Sequence, residues 1–339
     1  MSSKTQRAII KQETVLLRRS ISGLLLSALI AVVPVGKALA DNYPSKPVRI
    51  IVPYAPGGSS DSLARLLARY LGEKFNQTFV VENKSGGGTV IAAREVISSE
   101  PNGYTIALLD TSTPAVAPFL YKKQPFDPAN LQPITRLASI PQGLLVPASS
   151  KLNTLDDFIS YVKSNPGASY ASFGNTSLSY FLFEDFLNKA GLKMTQVGYK
   201  GAAPALQDLI GDHIGIGFLD VSTSTPHIQA GKLKALAIVT EDRLNAVPSV
   251  PTFKESGFPD YYRTPWFGVF TRAGTPKQVV DKLNEAVMEF GKSELFAKWL
   301  RDNNLVLSLS DSTAAFESGI QADTQVYSTL IKQLGVSLD

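Results

Sequence analysis

The sequence predicts an α/β protein of two interleaved domains, each a mostly parallel sheet flanked by helices. Three observations carry that reading. The chain has 339 residues, more than one ordinary core accommodates. Short apolar runs alternate with helical patterns from Pro47 onward. The alternation runs once, breaks and restarts, and a helical tail too small to fold alone follows it.

Val48–Val52 reads as the first strand and Pro53–Ser60 as a glycine-containing turn. From Ser62, the residues Leu63, Leu66, Leu67, Tyr70 and Leu71 fall on one helical face. Phe79–Val81 is a second strand, Gly86–Gly88 opens a helix toward Ser98, and Tyr104–Leu109 is a third strand. The restart begins at the strand Leu144–Val146. Thr154 with Asp157 predicts a capped helix over Phe158–Lys163, ended by Asn165-Pro166-Gly167. A strand at Tyr170–Ser172 leads through a polar turn to a helix Leu178–Ala190, stopped by Gly191 in the left-handed conformation. Strands follow at Thr195–Val197, Ile214–Phe218 and Leu233–Val239; after a further strand ending at Thr271, Pro276 opens a long helix. The tail is expected to return to the first domain. The expected division is 41–140 with 266–339 as domain 1 and 141–265 as domain 2, the chain crossing near Ala138–Gly143 and Arg263–Trp266.

With 44% hydrophobic and 18% charged residues the chain can bury a sizeable core. It has no Cys, which removes disulfides and thiolate chemistry, and only two His. A net charge of +4 suggests a nucleic-acid partner until it is located. Residues 1–40 hold six basic residues and one acidic one, leaving 27 basic and 28 acidic in 41–339. No basic cluster remains to bind phosphates, so nucleic acid is excluded as a partner.

Residues 1–40 read as an export signal, removed in the mature protein. A basic segment ends at Arg18-Arg19, an apolar run spans Ile21–Val33, and Ala38-Leu39-Ala40 predicts cleavage before Asp41. These thirteen apolar or small residues are short of the ~20 that a membrane span needs. The Arg pair and Lys37 are compatible with twin-arginine export, and the rest of the segment equally with the general secretory route.

No nucleophile elbow, zinc-protease helix, phosphate loop or dinucleotide fingerprint is present. His213 beside Asp212 and His227 after Pro226 read as surface histidines, at a helix-to-strand turn and a helix start. What remains is three strand-to-helix turns rich in glycine and hydroxyls: Pro53–Asp61, Ser172–Ser177 and Tyr199–Pro204. In parallel αβ units such turns lie at the carboxyl ends of strands, where ligands bind, and the helix N-termini favour an anion. Gly57 and Gly58 admit close backbone approach, and Ser59, Ser60, Thr176 and Ser177 supply hydroxyls. Each turn reads equally as an ordinary helix cap. Asp61 fits either the dipole of its helix or a ligand donor group, Tyr54 either a ligand face or a half-buried ring, and Lys200 either a ligand carboxylate or solvent.

The order of motifs resembles the Bug family, the extracytoplasmic solute-binding receptors of tripartite tricarboxylate transporters. The matching stretches are Tyr43–Gly58 with Asp61, Val81–Gly88, Pro101–Thr105, Tyr199–Ala205, Ala230–Ala237, Arg243, Val250–Gly257, Pro265–Gly268 and Ala273–Pro276. The resemblance implies a two-domain periplasmic-binding-protein (type II-like) fold that closes on a small carboxylate held in a cleft by one loop from each domain. It implies a periplasmic binding protein, not an enzyme, with no cofactor and no metal, acting as a monomer that delivers its ligand to large and small membrane subunits. The alternative reading is a binding protein that presents the ligand to a sensor kinase. Carried onto this chain, the ligand residues are Tyr54, Gly57, Gly58, Ser59, Ser60 and Asp61 in the first loop, and Ser172, Gly174, Asn175, Thr176, Ser177 and Tyr180 in and beyond the second; Lys200, Gly201 and Ala202 come from the third turn. Three positions depart from the family pattern: Thr176 stands where a glycine is usual, Tyr180 near a usual histidine, and Gly198 precedes Tyr199. They predict a reshaped pocket. Phe173, Phe181 and Phe183 read as packing residues rather than pocket wall.

Overall fold

The computed structural model describes residues 42–174, 177–199 and 201–338. The expected export signal therefore lies outside the described residues, as do Asn175, Thr176 and Lys200. No described helix is long and apolar enough to cross a membrane.

The first sheet starts as the alternation predicts. Strand β1 (Val48–Val52) pairs in parallel with β2 (Phe79–Asn83) and β3 (Thr105–Asp110). Helices α1 (Ser59–Phe75) and α2 (Val90–Ser98) make the crossovers. A π-helical turn at Ser112–Val116 and the short α3 (Ala117–Leu120) lead to β4 (Leu131–Ser139). The chain then enters a second sheet with β5 (Gln142–Pro147). Helix α4 (Leu155–Ser164) carries the expected capping box, with Asp157 N–H on Thr154 Oγ1 and Thr154 N–H on Asp157 Oδ2, both at 3.0 Å. Next come β6 (Ser169–Ser172), α5 (Leu178–Ala190), β7 (Thr195–Gly198), α6 (Ala202–Ile210), β8 (Gly217–Asp220), α7 (Val221–Gln229) and β9 (Leu233–Val239). The chain returns through β10 (Trp266–Arg272), α8 (Lys277–Gly291), α9 (Glu294–Asp302), β11 (Val306–Leu307) and α10 (Thr313–Leu334).

The sheets run β11-β4-β10-β3-β1-β2 and β7-β6-β8-β5-β9. Both are mixed, which corrects the expectation of mostly parallel sheets. β10 is antiparallel to β3 and β4, and β5 to β8 and β9. The reason lies in the connections. Strands joined by a covering helix are forced parallel, whereas β5 and β10 enter directly from the other sheet with no crossover to set their direction. The two crossings lie together, Ile140 N–H donating to Pro265 O at 2.7 Å.

Helix α10 has a dual role that the expected return to the first domain leaves out. Phe316 near its start packs on Trp266 and Phe270 of the first sheet. Tyr327, Leu330 and Ile331 near its end belong instead to the core around α5 and β8. Ala115, Val116 and Leu120 join that same core from the first-sheet side. Phe181 and Phe183 are fully buried in it, and Phe173 packs against α6, so all three are packing residues as expected.

Candidate functional site

The first loop is shaped by one carboxylate. Asp61 Oδ2 accepts from Gly57 N–H and from Arg65 Nε, both at 3.0 Å, and its Oδ1 accepts from Asn83 Nδ2 at 3.0 Å and Arg65 Nη2 at 2.9 Å. Asn83 Nδ2 also donates to Tyr54 O at 3.0 Å, so both ends of the Tyr54–Gly58 loop are tied to one cluster. Arg65, with the Gly57 and Asn83 donors, holds the Asp61 carboxyl down to about 2, against the smaller opposing effect of burial. Asp61 is therefore engaged within its own loop, and the Gly57 N–H is spent on it. Gly57 itself sits at φ +94°, a conformation that only glycine adopts cheaply.

Gly58 caps α1 with no side chain, so no cap group covers the N–H groups of Ser59 and Ser60. The first helical bond runs from Ser62 N–H to Gly58 O at 3.0 Å. A Cβ added at Gly58 would meet nothing within 4 Å; the helix end is open. Ser59 is exposed, while Ser60 is 5% exposed.

In the second loop Gly174 has φ +95°. Ser177 is the N-cap of α5: its Oγ accepts from Tyr180 N–H at 3.2 Å and donates to Gly174 O at 2.7 Å. Ser172 is buried, its hydroxyl accepting from Gln196 Nε2 at 2.7 Å. Tyr180 is half-buried, edge-on to Phe181 at 5.3 Å, and packs against the core. The departure at Gly198 has a geometric reason: a Cβ there would lie 3.3 Å from the Gly174 Cα. The second loop thus rests against the end of β7, and any side chain at position 198 would have to push it back by a few tenths of an ångström. In the third turn Gly201, at φ +125°, precedes α6, which begins at a half-buried Ala202.

Two carboxylates that sequence reasoning missed stand beside these loops. Asp110, 8% exposed at the carboxyl end of β3, accepts from the Tyr54 hydroxyl and, at 3.1 Å, from Ser112 N–H. Burial pushes its carboxyl up and the Tyr54 phenol well above its ordinary value, although Tyr54 as a residue remains 37% exposed. Tyr54 is thus pinned by its hydroxyl while its face stays open. Asp220 ends β8 in the other sheet; burial pushes it up to about 6, opposed by a 2.5 Å bond from Gln142 Nε2. The signal available in sequence was small: an acid closing each apolar strand, in Leu108-Leu109-Asp110 and Phe218-Leu219-Asp220.

His213 is exposed, and His227 falls in the last turn of α7 rather than at a helix start. Neither joins the loops through any hydrogen bond among the described residues.

The family model for the tripartite tricarboxylate transporter family receptor matches residues 63–336. Protein BugT of Bordetella pertussis is 33% identical over 304 residues, covering 88% of this chain and 92% of that protein. Among solved structures, R. palustris Rpa4515 with adipate is 30% identical with a TM-score of 0.76, covering 87% of this chain and 99% of that one. MatC of Rhodopseudomonas palustris with bound malate is 27% identical with a TM-score of 0.72, covering 85% and 100%. The fold is accordingly the two-domain α/β architecture of periplasmic solute-binding proteins, which are receptors and not enzymes. This chain belongs to the Bug family of tripartite tricarboxylate transporter receptors.

Proposed function

We propose that the protein captures a small organic acid between its two lobes in the periplasm, as a monomer, and hands it to the large and small membrane subunits of a tripartite transporter. The observation that carries this reading is the uncapped N-terminus of α1 behind Gly58, a backbone anion site with no basic side chain. Adipate in Rpa4515 and malate in MatC support a carboxylate as the ligand. In this reading the carboxylate meets the amides of Gly58, Ser59 and Ser60. The second loop (Ser172, Gly174–Ser177), Tyr180 and the turn at Lys200–Ala202 close from the other side, and the face of Tyr54 flanks the ligand. Gly57 and Asp61 take part by holding the first loop in shape. The lobes, 41–140 with 266–339 and 141–265, close about the crossings at 138–143 and 263–266. Residues 1–40 direct export and are removed.

Gly58→Val is the direct test. Its added side chain projects into open space at a φ of −83°, so folding is untouched while the anion site is blocked. Calorimetric titration with the acid selected by a thermal-shift screen is expected to show at least ~30-fold weaker binding, which corresponds to about 2 kcal/mol, at an unchanged melting temperature without ligand. Unchanged affinity would remove the first loop from the site. Delivery is tested in cells: deleting the two membrane subunits is expected to abolish ligand-dependent uptake, and uptake that persists would overturn the transport role.

A further inference from the structure

One carboxylate holds the second crossing between the lobes. Asp323, midway along α10 and 8% exposed, accepts from Arg263 Nη1 on Oδ1 at 3.0 Å and from Trp266 Nε1 on Oδ2 at 2.8 Å. Its two donors stand on either side of Pro265, where the chain passes back to the first sheet. Each donor is fastened to its own lobe. Just before Arg263, the buried Tyr261 gives its hydroxyl to Leu182 O of the second lobe at 2.6 Å. Trp266 opens β10 and donates its backbone N–H to Thr111 Oγ1 of the first lobe at 2.9 Å. The segment left to bend is 262–265, and Asp323 spans it.

A second observation says which of the two bonds can give. Trp266 is 2% exposed and packed against Phe270 and Phe316, with ring centroids 6.2 and 4.9 Å away, so its indole has no room to move. The Arg263 side chain is 42% exposed and borders a cavity of about 60 Å³ between α5 and α10, lined also by Asp185, Lys189, Asp260, Tyr261 and Tyr327. That space holds about two waters, so the guanidinium can swing without displacing packed side chains. Burial pushes the Asp323 carboxyl up, opposed by Trp266 and Arg263. A buried carboxylate paired in this way returns little net stability. What it adds is direction, two bonds that fix the course of the chain at Pro265.

We propose that Asp323 is a positioning residue for ligand capture: its bonds to Trp266 and Arg263 set the angle at which the second crossing holds the lobes, with Trp266 as the fixed arm and Arg263 as the moving one. This rests on the reading above that the lobes close about the crossings, and it names a residue that governs the closure. An acid reaches the loops whether or not the crossing is held, but it leaves only when the lobes part. Loosening the clamp therefore speeds release and leaves capture nearly untouched.

The test is stopped-flow fluorescence of the purified protein with malate, adipate and the straight-chain dicarboxylates of three to eight carbons, the tightest of them serving as probe. Small-angle X-ray scattering with and without that probe reports closure. Arg263→Gln removes the moving arm at an exposed position. Asp323→Asn keeps a carbonyl oxygen for Trp266 and withdraws the charge that Arg263 answers. Each is expected to release the probe at least tenfold faster, with association within twofold of wild type. The double variant is expected to be no faster than the faster single one, because both changes cut the same bond. Should Asp323→Asn fail to fold, Arg263→Gln decides. A lowered melting temperature with unchanged release would make the pair merely structural and overturn the inference. So would a double variant whose release multiplies the two single effects. A probe that binds without compacting the protein overturns closure about the crossings, and this inference with it. If no acid in the series binds, the carboxylate reading itself falls.

Discussion

Phe186→Ala is expected to destabilise the folded protein by about 3–5 kcal/mol, the range for truncating a fully buried aromatic side chain. Phe186 on α5 is 0% exposed and lies at the centre of an aromatic cluster. Its ring centroid is 5.0 Å from those of Phe253 and Phe258, 5.7 Å from Tyr261, 5.8 Å from Phe183 and 6.2 Å from Phe158. Truncation removes the transfer free energy of the ring and leaves a cavity walled by other rings, which are too rigid to collapse into it. Phe253 and Phe258 also lose edge-to-face contacts with it. Tyr261 is further fixed by its 2.6 Å bond to Leu182 O, so this side of the cavity cannot shift inward. Urea unfolding measures the loss; a change below about 1 kcal/mol would mean that the cluster repacks around the gap.

Asp220→Asn is expected to act in the opposite direction, and only above a certain pH. Burial lifts the Asp220 carboxyl from 3.8 to about 6 in the folded protein. Between those values the native state keeps a proton that the unfolded chain releases, so stability falls as pH rises from about 4 to 6 and is level above 7. The cost of holding the charge is at most about 3 kcal/mol at neutral pH. The amide carries no charge and still accepts from Gln142, so the variant should be more stable by about 1–3 kcal/mol at pH 7.5 and unchanged at pH 4. Asp61 and Glu82, held down to about 2 chiefly by Arg65 and Arg49, lose their contributions as pH falls through about 5 and below, equally in wild type and variant, so they cancel from the comparison. Equal unfolding midpoints for wild type and variant at pH 7.5 would show that Asp220 is not penalised by burial. A residue that costs stability in the empty protein is what a binding site often contains, since the function it serves compensates for the loss.

Much of the fold was legible because local signals agreed with it. Helix α5 runs from Leu178 to Ala190 as its apolar face and Gly191 predict, and β9 spans the expected Leu233–Val239. Strand β4 was missed. Pro133 and Arg136 interrupt its pattern, and it is held as a strand by β10 and β11, which come from the far end of the chain. Helix α7 was misplaced, its start expected at Pro226 rather than Val221. Val221–Gln229 is rich in β-branched and hydroxyl residues and contains Pro226, all poor helix formers. Burial of Val221, Ser224 and Thr225 against the sheet outweighs these propensities, and Thr223, Ser224 and Thr225 satisfy their hydroxyls on carbonyls three or four residues back. In the site, the glycine turns were visible in the residues themselves. Asp110, Gln142 and Asp220 were not, because a polar residue at the end of an apolar strand reads as an ordinary solvated turn.

The double attachment of α10 bears on when this protein can fold. The core around α5 takes side chains from Ala115 through to Ile331, so it joins segments more than two hundred residues apart. A ribosome that has released everything up to β9 has delivered all the strands of the second sheet, yet not the last wall of that sheet's core. Contacts so distant along the chain form slowly, because a long loop must close before they repay its entropy. The core of the second lobe therefore gains its last wall only when the end of the chain has been made.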